Sequence, residues 1–391
     1  MVESKPAIWY VDRSRITTDW QCPRKRYLQY HLGGRGVVPA TTSIELFMGS
    51  TLHDGLARIA DGMDIDEVAS TAQRAMYDSL SQVLPGEIPD ADTLTFAAEQ
   101  AALVEGLLRG FHRHAWPRLL QQGWRIIAVE QEMIYRISKH MHFMSKPDLI
   151  LEDPEGSWWY VEHKSTSSKK SQWVDSWATA VQLHSGIKAV EETLGHPVTG
   201  VIVSGLYKGY ESYGRQNSPF CYAYVRSGNP PFTADQVQYE YKAGFKRQPT
   251  WELPGGVRAW VEAMPEAILA DQFPQAPPIF VKDELVEAFF RQVKQREEII
   301  HSAVLSIQTA EKVGGKEEHI QAWLDSDFPQ KFDQCQPAWG RGCQFRRICH
   351  SRVDNPLEQG YTVREPHHEA ERRMFDEQVA ANTVPSEMPS L

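Results

Sequence analysis

The sequence has no hydrophobic run approaching the roughly 18 residues that a membrane-spanning helix needs. Its first residues, MVESKPAIWYVDRS, also lack the apolar stretch that is typical of a secretory signal peptide. We therefore expect a soluble protein of the cytoplasm.

Cysteine is scarce, and its number is odd. Five cysteines in 391 residues do not suit the disulfide framework of a secreted protein. An excess of basic charge is also absent, because 41 Lys and Arg face 51 Asp and Glu and give a formal net charge of −10. This balance argues against a protein that coats DNA by bulk charge, but it allows local phosphate contacts. No G-x-x-x-x-G-K-[ST] motif is present, so the sequence predicts no ATP-driven motor.

The chain does have ample material for a core, with 41% hydrophobic and 10% aromatic residues. Apolar periodicity predicts helices over 42–60, 64–84, 92–122, 174–194, 233–247, 256–270 and 282–312. Strands are predicted over 125–135, 140–151, 157–164, 198–208 and 220–226. The order of these elements indicates an α/β fold. We expect N-terminal helices (1–60), a helical insert (61–124), a core (125–230), a helical region (231–330), a cysteine segment (331–355) and a disordered tail (356–391).

The stretch 145–164, SKPDLILEDPEGSWWYVEHK, is the most informative part of the sequence. It is typical of a hairpin with a turn over 152–156, which brings Asp148 close to Glu162 and Lys164. Two carboxylates in one cleft suit Mg²⁺ or Mn²⁺, which prefer oxygen ligands. A lysine beside them stabilises the charge that develops on a phosphoryl group. The alternative is an ordinary hairpin with a strand-end aspartate and a solvated Glu–Lys pair.

A second group of informative residues consists of cysteines. Cys335, Cys343 and Cys349 fall within fifteen residues, and intracellular thiols at this density usually bind metal. Together with Cys22 they make four, a number that suits either Zn²⁺ or a [4Fe–4S] cluster. For Cys22 alone, the alternative is a buried thiol followed by a basic surface patch.

Basic residues accompany both cysteine segments. They are Arg24, Lys25 and Arg26 after Cys22, and Arg341, Arg346 and Arg347 among the later cysteines. If the thiols bind one cluster, both basic sets converge and form a local positive patch for nucleic acid. The alternative is that these cations only offset the negative charge of the thiolates.

These motifs resemble the PD-(D/E)XK nuclease superfamily, and within it the RecB- and AddB-like iron–sulfur exonucleases, including those associated with CRISPR spacer acquisition. The resemblance rests on Cys-Pro-Arg-x-x-Tyr at 22–27, Gly49-x-x-x-His53, Pro147-Asp148 before Glu162-x-Lys164, and the late Cys-x5-Cys pair. It implies a restriction-endonuclease-like α/β core, in which helices flank a central mixed sheet. Helical insertions and a cysteine-stapled C-terminal region would complete the fold.

The resemblance also implies roles for individual residues. Asp148 and Glu162 would bind Mg²⁺ or Mn²⁺, with His53 as the third ligand. Lys164 would position water and stabilise the transition state, and Gln182 in the following helix would help to order the site. The four cysteines would hold a [4Fe–4S] cluster of mainly structural purpose.

Two departures from the family pattern are visible. Gly186 occupies the place of a tyrosine that the family has four residues after the glutamine, so the contribution of that tyrosine is in question. Seven residues, instead of the usual two, separate Cys335 from Cys343, which keeps zinc open as an alternative to iron–sulfur. Glu130, before the hairpin, is a possible further acidic residue near the site.

The combined motifs predict a metal-dependent deoxyribonuclease, and more specifically an exonuclease that hydrolyses single-stranded DNA or duplex ends. One alternative is a nucleic-acid-binding module that keeps the nuclease fold without cutting. Another is a non-cutting, zinc-stapled subunit of a recombination, CRISPR or defence complex. The intact set of two carboxylates and one lysine argues against the first alternative.

Overall fold

Helices occupy both ends of the chain, and most strands lie between them. The computed structural model describes residues 8–41, 43–82, 89–167, 173–174, 176–177, 181–212, 215–226, 237–238, 243–336, 342–351 and 355–383. The helices are α1 (Arg13–Gln21), α2 (Pro23–Tyr30), α3 (Ile44–Ala60), α4 (Ile65–Ser81), α5 (Ala91–Gly110), α6 (Trp116–Leu119), α7 (Val181–Leu194), α8 (Gly256–Ala263), α9 (Glu266–Gln272), α10 (Asp283–Lys312), α11 (Glu317–Asp327), α12 (Phe332–Cys335), α13 (Arg346–Ser351) and α14 (Glu369–Thr383). The strands are β1 (Trp9–Asp12), β2 (Val37–Pro39), β3 (Arg125–Val129), β4 (Met133–Ser138), β5 (Met141–Ser145), β6 (Leu149–Glu152), β7 (Trp158–Thr166), β8 (Val198–Tyr207), β9 (Tyr210–Ser212), β10 (Arg215–Asn217), β11 (Tyr222–Arg226), β12 (Val237–Gln238), β13 (Phe245–Pro249) and β14 (Tyr361–Val363).

A four-stranded sheet in the order β3-β6-β7-β8 forms the centre of the fold. Its first three strands are antiparallel, whereas β7 and β8 are parallel and are connected through α7. The β6–β7 hairpin pairs Leu149 with Val161, so the residue before β6, Asp148, stands level with Glu162. Because side chains alternate along a strand, Tyr160, Glu162 and Lys164 share one face of β7.

A second sheet, in the order β1-β5-β4, shares a hydrophobic core with the first. Strand β1 runs parallel to β5 and ends at Asp12, where α1 begins. The Asp12 carboxylate caps α1 by accepting the backbone N–H of Arg15 at 2.8 Å. The strand and the cap together fix Arg13 at the first position of the helix.

The central sheet separates two hydrophobic cores. Helices α3, α4 and α5 pack on the face to which Val161 points, while α7, α10 and the second sheet cover the face of Tyr160. On α3 the buried residues Met48, Leu52 and Leu56 follow each other at intervals of four, as a helix with one buried face requires. His53 follows Leu52 and lies at the margin of this buried face.

A third core joins the two ends of the chain. Tyr27 and Leu28 of α2 pack with residues of α10 and with Phe345, Ile348 and Tyr361. The sequence around Cys22 and the later cysteines is therefore brought together by apolar packing that does not depend on the thiols. Burial of each large apolar side chain contributes about 1.5–3 kcal/mol relative to its exposed state.

The mixed α/β architecture predicted from the sequence is confirmed, including the hairpin. The helix predicted over 174–194 is confirmed over Val181–Leu194, whereas residues 176–177 form a turn. The helix predicted over 233–247 is wrong where the structure describes it. Residues 237–238 and 245–249 form β12 and β13, which pair with β11 from both sides. Gly244, with φ of 85°, precedes β13 and is incompatible with a continuous helix there.

The tail beginning at residue 356, predicted to be disordered, also differs from the prediction. Its described part forms a 3₁₀ turn (Pro356–Gln359), then β14, which pairs with β2, and then α14. The pairing partner lies more than 300 residues earlier in the chain, so local composition does not reveal it. Among the helices that the structure describes, none is long and apolar enough to cross a membrane.

Candidate active site

A cavity of about 470 Å³ lies on the face of β7 that carries Tyr160, Glu162 and Lys164. Five further parts of the chain contribute to its walls. They supply Arg13 from α1, His53 from α3, Glu130 after β3, Lys146 and Asp148 before β6, and His367 and His368 before α14. The cavity therefore combines residues that are far apart in sequence and collects several charges of both signs.

Asp148 is buried at the start of β6, and two hydrogen bonds fix its carboxylate. Its Oδ2 accepts the backbone N–H of His163 at 2.5 Å, across the hairpin. Its Oδ1 lies 2.8 Å from Nδ1 of His53. The hairpin register and the helix α3 thus determine the position of this aspartate together.

His53, Glu130 and Asp148 form a compact group of potential metal ligands. One ligand atom from each residue lies within 4.8 Å of the others, and His53 Nδ1 is 3.8 Å from Glu130 Oε1. Glu130 adopts a φ of 47°, a left-handed conformation that side chains other than glycine rarely take. Its backbone N–H donates to the carbonyl of Asp148 at 3.2 Å, so the hairpin holds Glu130 in this conformation.

His53, Glu130 and Asp148 shift the pKa values of one another. Burial, followed by the negative charge of Glu162, raises the pKa of Asp148. Burial disfavours the protonated form of His53, but the Asp148 carboxylate outweighs it and raises the pKa of His53 to about 9. Burial also opposes ionisation of Glu130, yet hydrogen bonds to His53 and Lys146 lower its pKa to about 2. Lys146 Nζ lies 2.7 Å from Glu130 Oε2.

Glu162 is almost fully buried, and both of its oxygens have partners. Lys164 Nζ lies 2.6 Å from Oε1, and an Arg13 nitrogen donates to the same oxygen at 2.8 Å. The Tyr160 hydroxyl donates to Oε2 at 3.2 Å. Burial favours the neutral acid, but Lys164 and then Arg13 overcome it and lower the pKa of Glu162 to about 2. Glu162 is therefore a carboxylate, and it holds two cations at the cavity.

The donor set of His53, Glu130 and Asp148 fits a hard divalent cation. Two carboxylates and one imidazole nitrogen are ligands that Mg²⁺ and especially Mn²⁺ accept. Asp148 and Glu162 repel one another across the hairpin, and a bound dication relieves such repulsion. The raised pKa of His53 favours its protonated form, so a metal ion bound here would replace a positive charge that the site already accommodates.

The structure brings Asp148, Glu162, Lys164 and His53, all singled out by the sequence pattern, to one cavity. The compact three-ligand group contains Asp148 and His53, and its third member is Glu130 instead of Glu162. Glu162 instead contacts two cations. Gln182 belongs to α7, but its side chain lies outside the described residues.

Glu130 and Arg13 contribute more to the cavity than their sequence context suggests. Glu130 lies inside the strand predicted over 125–135, whereas in the structure it directly follows β3, and its nearness in sequence to the hairpin is the one available signal. Arg13 has no comparable signal, because its contact with Glu162 spans 149 residues. The fold alone reveals this pair.

The four cysteines predicted to bind a cluster lie near the end of α1 that is remote from Arg13. Cys22 is the C-cap residue of this helix, and the backbone N–H of Cys343 donates to the carbonyl of Cys335 at 2.9 Å. Burial, then the charges of Cys343 and Cys22, raise the pKa of Cys335. Burial is also the main cause that raises the pKa of Cys349 to about 11, and Cys22 and Cys335 add to it. The four thiols are therefore electrostatic neighbours.

The positive patch predicted beside the cysteines is wrong for two of its members. Arg24 is buried and pairs with Asp325 of α11 at 2.6 Å. Arg26 is fully buried and pairs with Glu297 of α10 at 3.0 Å. These arginines connect α2 to the C-terminal helices instead of facing solvent, because each finds an acidic partner that is remote in sequence. Arg341 lies outside the described residues.

Comparison with known proteins identifies the superfamily of the chain. A family model of the PD-(D/E)XK nuclease superfamily matches residues 13–350, which include the two carboxylates, Lys164 and the four cysteines. No curated protein matches the chain. The match covers most of the sequence and ends before β14. The chain belongs to the PD-(D/E)XK nuclease superfamily, which implies metal-dependent nuclease activity.

Proposed function

We propose that this chain is a Mg²⁺- or Mn²⁺-dependent exonuclease that hydrolyses phosphodiester bonds in single-stranded DNA or at duplex ends. The observation that carries the proposal is the cavity in which His53, Glu130 and Asp148 form a three-ligand group on one side. Glu162 and Lys164 face the same cavity. Family membership supplies the reaction class, and the geometry supports the assignment of residues to roles.

His53, Glu130 and Asp148 would hold the metal, and Glu162 is a further ligand candidate because it faces the same cavity. When bound, such an ion polarises a phosphoryl oxygen and lowers the pKa of coordinated water. The His163 backbone N–H keeps Asp148 in position for this task. Glu130 is kept in position by Lys146 and by its backbone bond to the hairpin.

Lys164 is the residue to which we assign the main catalytic contact with the reacting phosphate. Its ammonium group can orient the attacking water and stabilise negative charge on the phosphoryl oxygens. Glu162 determines where this ammonium lies, through a contact of 2.6 Å. Arg13 shares the same carboxylate oxygen and adds a second cation at the cavity. Gln182 remains a proposed supporting residue of the site.

The cavity brings three cationic side chains to the place where a DNA end would bind, although five carboxylates also line it. Arg13, Lys146 and Lys164 supply positive charge at the cavity, whereas the formal net charge of the protein is −10. A protein with this balance gains little from long-range attraction along a duplex. Recognition through a few contacts at a strand end is consistent with it.

The experiment that tests the exonuclease proposal compares two single-stranded substrates in Mg²⁺ and in Mn²⁺. One is a linear oligonucleotide with a labelled end, and the other is a covalently closed circle of the same sequence. Loss of the linear substrate with survival of the circle supports an exonuclease, and the labelled end gives the polarity. Equal cutting of both substrates contradicts the exonuclease assignment but keeps a nuclease. Binding of both without cutting favours the non-cutting alternative.

We further propose that Cys22, Cys335, Cys343 and Cys349 hold a [4Fe–4S] cluster that staples the two ends of the chain. Four thiols in one neighbourhood supply the ligand number that such a cluster requires. A single zinc ion with bonds of about 2.3 Å holds its four sulfurs less than about 4 Å apart. Among the described residues, no three of these thiols lie within 4.8 Å of one another. The late Cys-x5-Cys pair, which resembles that of the iron–sulfur exonucleases, is what favours the cluster over zinc.

A further inference from the structure

The C-terminal strap, which we define as residues 361–371, lies outside the part of the chain that the family model matches. The match ends at residue 350, yet His367 and His368 of the strap line the catalytic cavity. This nuclease therefore has a wall of its cavity that its family membership does not account for.

The strap is held in place by a built set of contacts at its two ends. At the first end, β14 pairs with β2, and the Arg364 backbone N–H donates to the Gly36 carbonyl at 2.9 Å. At the other end, Glu371 accepts hydrogen bonds from Arg364, at 2.7 Å, and from Arg15. Arg15, Arg364 and Glu371 are all buried, so the strap belongs to the folded core of the protein.

Glu132 fixes the middle of the strap from the opposite side. Its carboxylate accepts the backbone N–H groups of Glu369 at 2.9 Å and Ala370 at 3.2 Å. This places a negative charge at the positive end of the α14 dipole. The same carboxylate lies 3.2 Å from Nδ1 of His368, which is buried and also lies 3.8 Å from an Asp12 oxygen. His368 is thus a structural part of the anchor.

His367 differs from every anchor of the strap. Its side chain is exposed, and within the part of the chain that the structure describes no group is hydrogen-bonded to its ring. The ring meets His368 edge-on, with centroids 5.5 Å apart. The exposed side chain is still partly shielded from solvent, and this shielding, followed by the neighbouring His368, lowers the pKa of His367, so its neutral imidazole offers one N–H donor.

We infer that His367 is a substrate-contacting residue, which the strap presents to the cavity so that its imidazole donates a hydrogen bond to a phosphate oxygen of the bound strand. The inference rests on the proposed nuclease function and adds a contact to it. The charged cavity residues Arg13, Lys146 and Lys164 are each paired with a glutamate. His367 supplies a hydrogen-bond donor to the cavity, and among the residues that the structure describes no glutamate engages it. The contacts of the strap with β2, Arg15 and Glu132 hold His367 at the cavity.

The test compares the full chain with His367→Ala, His367→Gln and the control His319→Ala. His319 is an exposed histidine on α11 that does not line the cavity. One readout is the affinity for a fluorescently labelled single-stranded oligonucleotide in EDTA, where no bond is cut. The other is the steady-state cleavage of the same oligonucleotide in Mn²⁺, analysed as kcat and KM. Thermal unfolding of each variant is recorded alongside.

We expect His367→Ala to weaken oligonucleotide binding and to raise KM, each by about three- to tenfold, with kcat changed less than twofold. His367→Gln, which keeps an N–H donor, should restore part of the loss. His319→Ala and all unfolding temperatures should match the wild type. Wild-type binding and cleavage by His367→Ala overturn the inference and leave the nuclease proposal intact. A wild type that neither binds nor cuts the oligonucleotide overturns both.

Discussion

Gly186 of α7 lies directly against the ring of Tyr160 in β7. A Cβ atom at Gly186 would come within 2.4 Å of Tyr160 Cε2 and 2.8 Å of its hydroxyl oxygen. That hydroxyl donates to Glu162 at 3.2 Å. The strand tyrosine therefore occupies the space that a side chain on the helix would need. This contact explains why residue 186 is a glycine, although the family resemblance suggests a tyrosine at that position.

The first prediction concerns this contact. Gly186→Ala should lower the free energy of unfolding by about 1–3 kcal/mol, because the new methyl group overpacks against Tyr160. The same change at Gly49 in α3 is the matched control, since a Cβ there meets no atom within 4 Å. Gly49→Ala should leave stability unchanged or raise it by up to about 1 kcal/mol, through helix propensity. Urea unfolding measures both, and equal effects at the two positions contradict the packing argument.

The second prediction concerns Glu130. Glu130→Gln should weaken Mn²⁺ binding by about tenfold or more and reduce cleavage at limiting metal, because one charged ligand of the three-ligand group is lost. The control is Glu155→Gln, in the exposed turn of the hairpin, which should behave as the wild type. Isothermal titration calorimetry gives the affinity. Unchanged Mn²⁺ affinity in Glu130→Gln would remove this residue from the metal site.

The third prediction is a release of protons on metal binding. The pKa of His53 is raised to about 9, so its imidazole is protonated at pH 7.5 and must lose that proton to bind a metal ion. Metal affinity should therefore rise by about tenfold per pH unit up to about pH 9. Calorimetry in two buffers of different ionisation enthalpy should show about one proton released per ion at pH 7.5. His53→Gln should abolish the release, and a wild type that releases no proton contradicts the assignment of His53 as a ligand.

The fourth prediction concerns the cysteines. Anaerobically purified protein should be brown and contain about four irons per chain. Replacing any one of Cys22, Cys335, Cys343 and Cys349 by serine should remove most of this iron, whereas Cys221→Ala should retain all of it. Cys221 is the matched control, because it is buried directly before β11. Its thiol contacts the carbonyl of Glu99 instead of the other cysteines. One zinc per chain without iron would decide for the zinc alternative.

The hairpin was predictable because its determinants are local. Alternating aromatic and β-branched residues around a Pro- and Gly-containing turn specify two antiparallel strands, and the register then places Asp148 level with Glu162. The central mixed sheet followed from the same kind of signal. These predictions depend on residues that are neighbours in the chain.

The remaining features depend on contacts between distant segments. Arg13 reaches Glu162 across 149 residues, and Glu130 joins the site through a left-handed turn that its own sequence does not favour. The strap is ordered by β2, Arg15 and Glu132, each more than 200 residues away, although its composition is typical of a disordered tail. The location of charged residues was equally hard to predict, since Arg26 is buried in an ion pair with Glu297 of α10. Composition describes such residues but does not reveal their partners.

The measurement that tests the central claim most directly is degradation of end-labelled single-stranded DNA by anaerobically purified protein in Mn²⁺. Wild type, Lys164→Ala and the control Lys294→Ala are compared, because Lys294 is an exposed lysine on α10 outside the cavity. We predict metal-dependent loss of substrate by the wild type and by Lys294→Ala, and a loss of at least about 100-fold in the rate of Lys164→Ala. Cleavage by Lys164→Ala at the wild-type rate, or no cleavage by folded wild type that carries its metal, would contradict the account.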